Sequence, residues 1–356
     1  MVALSEPAAA PTGDRRALAR RVTLLLVLLL LGVSAASLTV GASGISLRQI
    51  GGDLLAGREL SLRDRVVLFD IRLPRLAMGM LVGASLAVSG AVMQGLFRNP
   101  LADPGLVGVS AGAGLGAITA IVLGGVLPAG LAATLGQYAV PVAAFLGGWV
   151  STLLLYAIAT RSGRTSVATM LLAGIALGAL AGALSGVLVY MADDTQLRDL
   201  TFWGMGSIAG ATWAKVLTAA PLMLLALAAA PTLARGLNAL AFGEAAAAHL
   251  GQDVQRLKST AILTVAGAVG AAVAVSGGIG FVGIVVPHLL RLVSGPDHRP
   301  LLINSALLGA ALLLAADVIS RVIIAPAELP IGIVTATLGG PFFLWILLRR
   351  RTLLEL

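Results

Sequence analysis

Two lysines, three histidines and no cysteine stand beside the arginines and acids of this 356-residue chain, which leaves few routes to enzyme chemistry. A nucleotide-binding loop needs a glycine-rich turn ending in Gly-Lys-Ser/Thr, because that lysine neutralises the phosphates. Lys215 follows Trp213-Ala214 and Lys258 follows Arg256-Leu257, so neither qualifies. The absence of cysteine excludes disulfides, thiolate metal sites and cysteine nucleophiles. His249 has no second ligand beside it, His288 sits in an apolar stretch where a structural hydrogen bond is the simpler role, and His298 falls in a turn. Intramembrane proteolysis would want a Gly-x-Ser-x-Gly serine with a histidine partner, two in-span aspartates or His-Glu-x-x-His, and none of these sites is expected. The chain is read as no enzyme, with no catalytic residue, no metal and no cofactor of its own.

What remains is recognition chemistry. Arg72 and Arg75 are one helical turn apart, and Arg321 lies four residues after Asp317, the sole clear acid inside an apolar stretch. Asp317 and Arg321 share a helix face and are expected to pair. Arginine's planar fork can also hold a partner's carboxylate through two parallel hydrogen bonds. Elsewhere, Gly243-Glu244-Ala245-Ala246-Ala247-Ala248-His249-Leu250-Gly251 has an acidic start, an alanine-rich body and a glycine stop, which predicts a short helix. A polar stretch, Ser162–Ser166, separates two long apolar runs.

These residues must be positioned by a membrane bundle. Hydrophobic residues make up 58% of the chain and charged residues 11%, far below the quarter usual in soluble domains. A helix rising about 1.5 Å per residue needs roughly 20 residues to cross the hydrocarbon, so about ten spans fit. They are placed at 22–41, 73–96, 105–126, 138–160, 166–191, 213–234, 259–276, 279–293, 301–319 and 331–348, as one transmembrane domain over 22–348. Residues 1–21 form a cytoplasmic leader and 349–356 a cytoplasmic tail. The region 259–293 is the least regular, since Gly277-Gly278-Ile279-Gly280 leaves almost no loop. The apolar run Val22–Gly41 is longer than the core of a cleaved signal peptide and is read as a retained first helix. Leu47–Leu55 has helix-like spacing and is expected at the interface. Basic residues flank the first and last spans and gather on one side, which puts both termini in the cytoplasm. That distribution explains the net charge of +8 better than a nucleic-acid surface would, so no nucleic-acid partner is expected. The 44 glycines let helix backbones approach closely in lipid.

Several strings carry a family resemblance. Arg72-Leu73-Pro74-Arg75 leads, through one bilayer crossing, to Gln94-Gly95-Leu96-Phe97-Arg98-Asn99-Pro100-Leu101-Ala102-Asp103-Pro104-Gly105. Later come Leu171–Leu177, Gly280–His288 and Ala327-Glu328-Leu329-Pro330-Ile331-Gly332-Ile333-Val334-Thr335-Ala336. Over about Arg72–Leu348 the chain resembles the FecCD-type permeases, membrane subunits of ATP-binding-cassette importers for iron chelates, heme and vitamin B12. One departure is Gly340, where the family commonly has alanine. The resemblance implies the all-α, roughly ten-helix architecture of type II importers in a bacterial inner membrane. It also implies a second copy of the permease, two ATPase subunits that use the ATP, and an extracytoplasmic substrate-binding protein. On that basis Gly243, Glu244, Ala245, Ala246, His249, Leu250 and Gly251 belong to the loop that couples to the ATPase. Arg72, Arg75 and Arg321 would receive the binding protein, and Thr165 and Ser166 would line a cytoplasmic gate. The strings Thr201–Ile208 and Phe97–Pro104 look most like the heme branch, which ranks heme before ferric siderophore and vitamin B12. A secondary transporter or channel is the rival class, disfavoured by the scarcity of ionisable groups inside the spans.

Overall fold

A computed structural model of the chain describes residues 15–41, 52, 56–57, 59–126, 128–161 and 164–354. The expected leader before Arg15, the interfacial helix at 47–55 apart from Gly52, and the Ser162-Gly163 turn lie outside the described residues. Among the described residues, eight helices are long and apolar enough to cross a membrane, and two more apolar helices are shorter.

The centre of the bundle is α3 (Leu73–Leu96), which is buried from Gly83 to Leu96. It continues a shorter helix, α2 (Leu62–Arg65), through a wide-turn π-type segment at Val66–Arg72. The helix thus starts eleven residues earlier than the sequence reading placed it. Two neighbours press backbone to backbone on α3. A β-carbon added at Gly83 would sit 2.3 Å from the Gly309 carbonyl oxygen, and one at Gly90 would sit 1.9 Å from that of Gly283. Those approaches bring in α14 (His298–Val322) and α13 (Val282–Ser294). In lipid, where hydrophobic burial between helices contributes little, such close packing of small residues supplies much of the cohesion.

The first helix, α1 (Arg15–Thr39), packs on α14, where Thr23 Oγ1 donates to Asn304 Oδ1 at 2.7 Å. It is built into the bundle. On the far side, α4 (Val109–Leu123) meets α6 (Ala139–Ala159), with the short α5 (Ala129–Leu135) between them. Then come α7 (Val167–Met191) and α8 (Asp194–Met205). The sequence reading did not assign α8. Its signal was a capping box, in which Asp193 accepts from the Gln196 backbone and the Gln196 side chain accepts from the Asp193 N–H. α9 (Trp213–Ala229), α10 (Ala234–Leu240), α11 (Glu244–His249), α12 (Val254–Ser276) and α15 (Ile331–Leu354) complete the helices.

Two features differ from the expectation. α13 has 13 residues, about 20 Å of helix, too little for a full crossing. The turn Gly277–Phe281 before it is partly covered by protein: Gly277 and Ile279 are buried while Gly278 and Gly280 are exposed. Ser207 N donates to Ser276 O at 2.7 Å, and a β-carbon on Gly206 would lie 2.5 Å from the Gly278 oxygen. Irregular backbone at membrane depth needs such shelter. The other departure from an all-helical chain is a two-residue antiparallel ladder, β1 (Thr160–Arg161) with β2 (Arg164–Thr165), pairing Thr160 with Thr165. The family departure at Gly340 is harmless here: nothing lies within 4 Å of where its β-carbon would be, whereas Gly339 is pressed against Phe281.

Candidate functional site

The predicted short helix exists as α11, set between two left-handed glycines. Gly243 (φ +104°) turns the chain into it and Gly251 (φ +79°) turns it out, conformations that side-chain-bearing residues rarely adopt. Only Ala247 of α11 is buried. Phe242 and Leu250, at its two ends, are 79% and 64% exposed, and Ala245, Ala248 and His249 lie on the surface beside them. His249 Nδ1 is within 2.7 Å of the Ala245 carbonyl, a local helix contact. Among the described residues no group of three histidines or acids is placed to hold a metal ion.

Glu244, 46% exposed at its side chain, reaches across to α12. Its Oε1 lies 2.8 Å from Nζ of Lys258, whose side chain is 2% exposed. The same ammonium donates to the Thr165 carbonyl at 2.7 Å, while the Gln255 side chain accepts from the Thr165 N–H at 2.9 Å. The structure therefore joins the two segments that the sequence treated separately, the Glu244 helix and the Thr165 turn. Sequence reasoning had considered Lys258 only as a failed phosphate-loop lysine. The signal that marks it is a cation one turn inside an apolar helix, fourteen residues after a carboxylate.

Of the two expected gate residues, Thr165 is buried and its Oγ1 lies 2.9 Å from that of Thr160. Ser166 is exposed and caps α7, its Oγ accepting from the Thr169 N–H. The hairpin pairing turns one inward and leaves the other out.

Behind α11, at the same end of the bundle, a polar chain crosses four helices. Arg291 donates to the Gln94 side chain, and Gln94 Nε2 donates to the Gly283 carbonyl at 3.3 Å. Asn238 Oδ1 accepts from the His298 N–H at 2.9 Å, and its amide donates to Asp297 at 2.6 Å. Burial pushes the Asp297 carboxyl up, but the Arg299 N–H, the Asn238 amide and the Arg299 charge outweigh it and hold the group below its ordinary value. The sequence reading passed over one Gly-x-Ser-x-Gly string, Gly108-Val109-Ser110-Ala111-Gly112. Its last glycine serves packing, meeting the Gly147 carbonyl, and the three histidines are engaged elsewhere.

At the opposite end of α3, the three arginines converge, but on partners within the chain. Arg75 holds Glu328 with two parallel hydrogen bonds of 3.0 and 2.9 Å, and its Nε donates to Asp317 at 2.9 Å. Arg321 pairs with Asp317 at 3.0 Å, as their four-residue spacing predicts, and donates to the Ser37 and Val40 carbonyls. Arg72 donates to the Leu38 carbonyl. Arg72, Arg75 and Arg321 are 5%, 6% and 8% exposed. This cluster ties α1, α3 and α14 to the turn before α15. Neither Glu328 nor the carbonyl acceptors at the end of α1 had been foreseen.

Comparison with known proteins agrees with this layout. The chain is 45% identical over 330 residues to the hemin transport system permease protein HmuU of Yersinia pestis, covering 92% of this chain and 94% of that one. It is 44% identical over 303 residues to the vitamin B12 import system permease protein BtuC of Escherichia coli, covering 83% and 88%. Among solved structures it superposes, with a TM-score of 0.81 and 32% identity, on an inward-facing metal-chelate-type ABC transporter, covering 93% of this chain and 99% of that one. A weaker likeness, 19% identical with a TM-score of 0.54, to PsaBC of Streptococcus pneumoniae speaks for the fold alone. With the FecCD transport family model matching residues 2–349, this multi-pass chain belongs to that family, the permeases of ABC importers.

Proposed function

We propose that this permease moves an iron complex of the heme class into the cytoplasm as half of a homodimer, driven by two separate ATPase subunits and supplied by an extracytoplasmic binding protein. The observation that carries the substrate is the likeness to a hemin permease, which runs through nearly the whole of both chains. Ferric siderophore stands second. Vitamin B12 is the other reading, favoured by 46% identity over 283 residues to the cobalamin import system permease protein BtuC of Halobacterium salinarum.

The ATPase partner is favoured by the sequence, which has no phosphate-loop lysine, and by α11, an exposed helix flanked by Phe242 and Leu250 with little reason to exist undocked. Both termini are placed in the cytoplasm, in a bacterial inner membrane, on the strength of the basic flanks. The second copy is favoured by α7, whose glycines 178, 182 and 186 recur every fourth residue with open space where a β-carbon would go. Small residues on one face suit a neighbouring helix better than lipid chains. Docking of the binding protein through Arg72, Arg75 and Arg321 would require Arg75 and Arg321 to leave Asp317 and Glu328, and Arg72 to leave the Leu38 carbonyl, so their first role is to hold the outer ends of the helices together.

The test is uptake in proteoliposomes containing this permease with a cognate ATPase and binding protein. Hemin is expected to be taken up in an ATP-dependent manner, with cobalamin and a ferric hydroxamate as comparisons. Preference for cobalamin would overturn the substrate assignment, and uptake without any ATPase would overturn the transporter class.

A further inference from the structure

The hairpin β1–β2 is too small to hold its own position. A two-stranded pair is marginal at best, and this one has a ladder of two residues. Its placement comes from α12. Gln255 and Lys258, one turn apart, grip Thr165 at both backbone atoms, the N–H at 2.9 Å and the carbonyl at 2.7 Å. Lys258 Nζ simultaneously pairs with Glu244 at 2.8 Å. Thus one buried ammonium touches the helix that faces outward at this end and the turn that leads into α7.

An ammonium offers three donors and prefers to fill them when buried. A charge this far from solvent is retained only if paired and hydrogen-bonded, and removing a partner leaves the other stranded. The Thr165 half of the link is therefore firm, and the Glu244 half, 46% exposed at the carboxylate, is the softer one: displacing Glu244 draws on Lys258, and Lys258 draws on the Thr165 carbonyl. Ser166, the next residue, caps α7, so a shift of the hairpin moves the start of that helix.

We propose that Lys258 is the positioning residue that transmits motion of α11 to the Thr165–Ser166 turn, making Glu244, Lys258 and Thr165 a single connecting strut. This rests on the reading above that α11 docks on the ATPase. Lys258 touches neither ATP nor cargo; it acts through the two segments it holds.

The experiment uses the complete complex in proteoliposomes, with hemin as the probe, and compares Lys258→Met, Lys258→Arg and Glu244→Gln. Lys258→Met keeps the apolar stem and removes the charge. It is expected to leave ATPase co-purification and hydrolysis near normal while hemin uptake per ATP falls about tenfold, within the range that residues along a connecting network produce. Lys258→Arg should restore most of the uptake. A spin label at Ser166→Cys, in a chain with no native cysteine, should shift on nucleotide binding in the parent and stay still in Lys258→Met. A label at Ala248→Cys should move in both. An unchanged uptake-to-hydrolysis ratio, or nucleotide-driven movement at 166 that survives Lys258→Met, would overturn the strut. If Lys258→Met is not recovered folded, Glu244→Gln, at a half-exposed position, carries the same label test with the same two readings. The underlying docking is tested apart, by Leu250→Asp: retained ATPase binding in that variant would refute docking by α11 and leave the Lys258 measurements to stand on their own.

Discussion

At the residue scale, the most consequential group is Asp317, fully buried and shared between Arg75 and Arg321. Glu328 serves Arg75 as well, but its side chain is 39% exposed. The two acids should therefore differ sharply. Asp317→Asn removes the buried carboxylate that both guanidinium groups share, leaving Arg321 with the Ser37 and Val40 carbonyls, and is expected to cost about 3–5 kcal/mol, the range for breaking a buried pair. Glu328→Gln breaks a pair that water screens, and the loss should be about 1 kcal/mol or less. Thermal unfolding of the detergent-solubilised permease checks the order; equal losses would show that Asp317 is not the hub. Part of this cluster was legible, because Asp317 and Arg321 sit four apart on one helix. The rest was not: Arg75 and Asp317 are 242 residues apart, and nothing local announces their meeting.

At the element scale, hydropathy located the helices well and their surroundings badly. The window of α3 has a mean hydropathy of 1.9 and that of α7 has 2.1, yet the first is 78% buried and the second 11%. Lipid and protein interior are equally apolar, so the same letters serve both; the difference lies in which glycines meet a carbonyl and which meet open space. The boundary of α11 was readable from Gly243 and Gly251, since capping chemistry is local. The full crossing expected at 279–293 was not met, because the four-residue glycine turn permits a short helix as readily as a spanning one. The inward turn of Thr165 was equally hidden, being set by Gln255 and Lys258 some ninety residues on. It refines the expected gate. In a homodimer, Ser166→Cys should form a disulfide between protomers in at least one nucleotide state, while Thr165→Cys should form none. Non-reducing electrophoresis reads the result, and strong cross-linking at 165 with none at 166 would mean that the hairpin faces the other way.

At the scale of the whole molecule, the bundle is organised around a helix made early and partners made late. Gln94 donates to the carbonyl of Gly283, 189 residues further along the chain. At about 5–20 residues per second of synthesis, that bond waits roughly 10–40 s for its acceptor. Gly83 waits longer still for Gly309. During that interval α3 has its glycine faces open, and Gln94, near the end of the helix, lacks α13 to cover it. Gln94→Cys should therefore react with a maleimide in a chain ending at Ser276 and be protected in the full-length permease; equal protection in both would mean that α4 and α12 suffice to close the core. The close backbone contacts of α3 thus impose an order on biogenesis. The centre of this permease is sealed only when the last third of the chain has been inserted, and until then the unfinished protein presents the membrane's quality-control machinery with its most tightly packed surface uncovered.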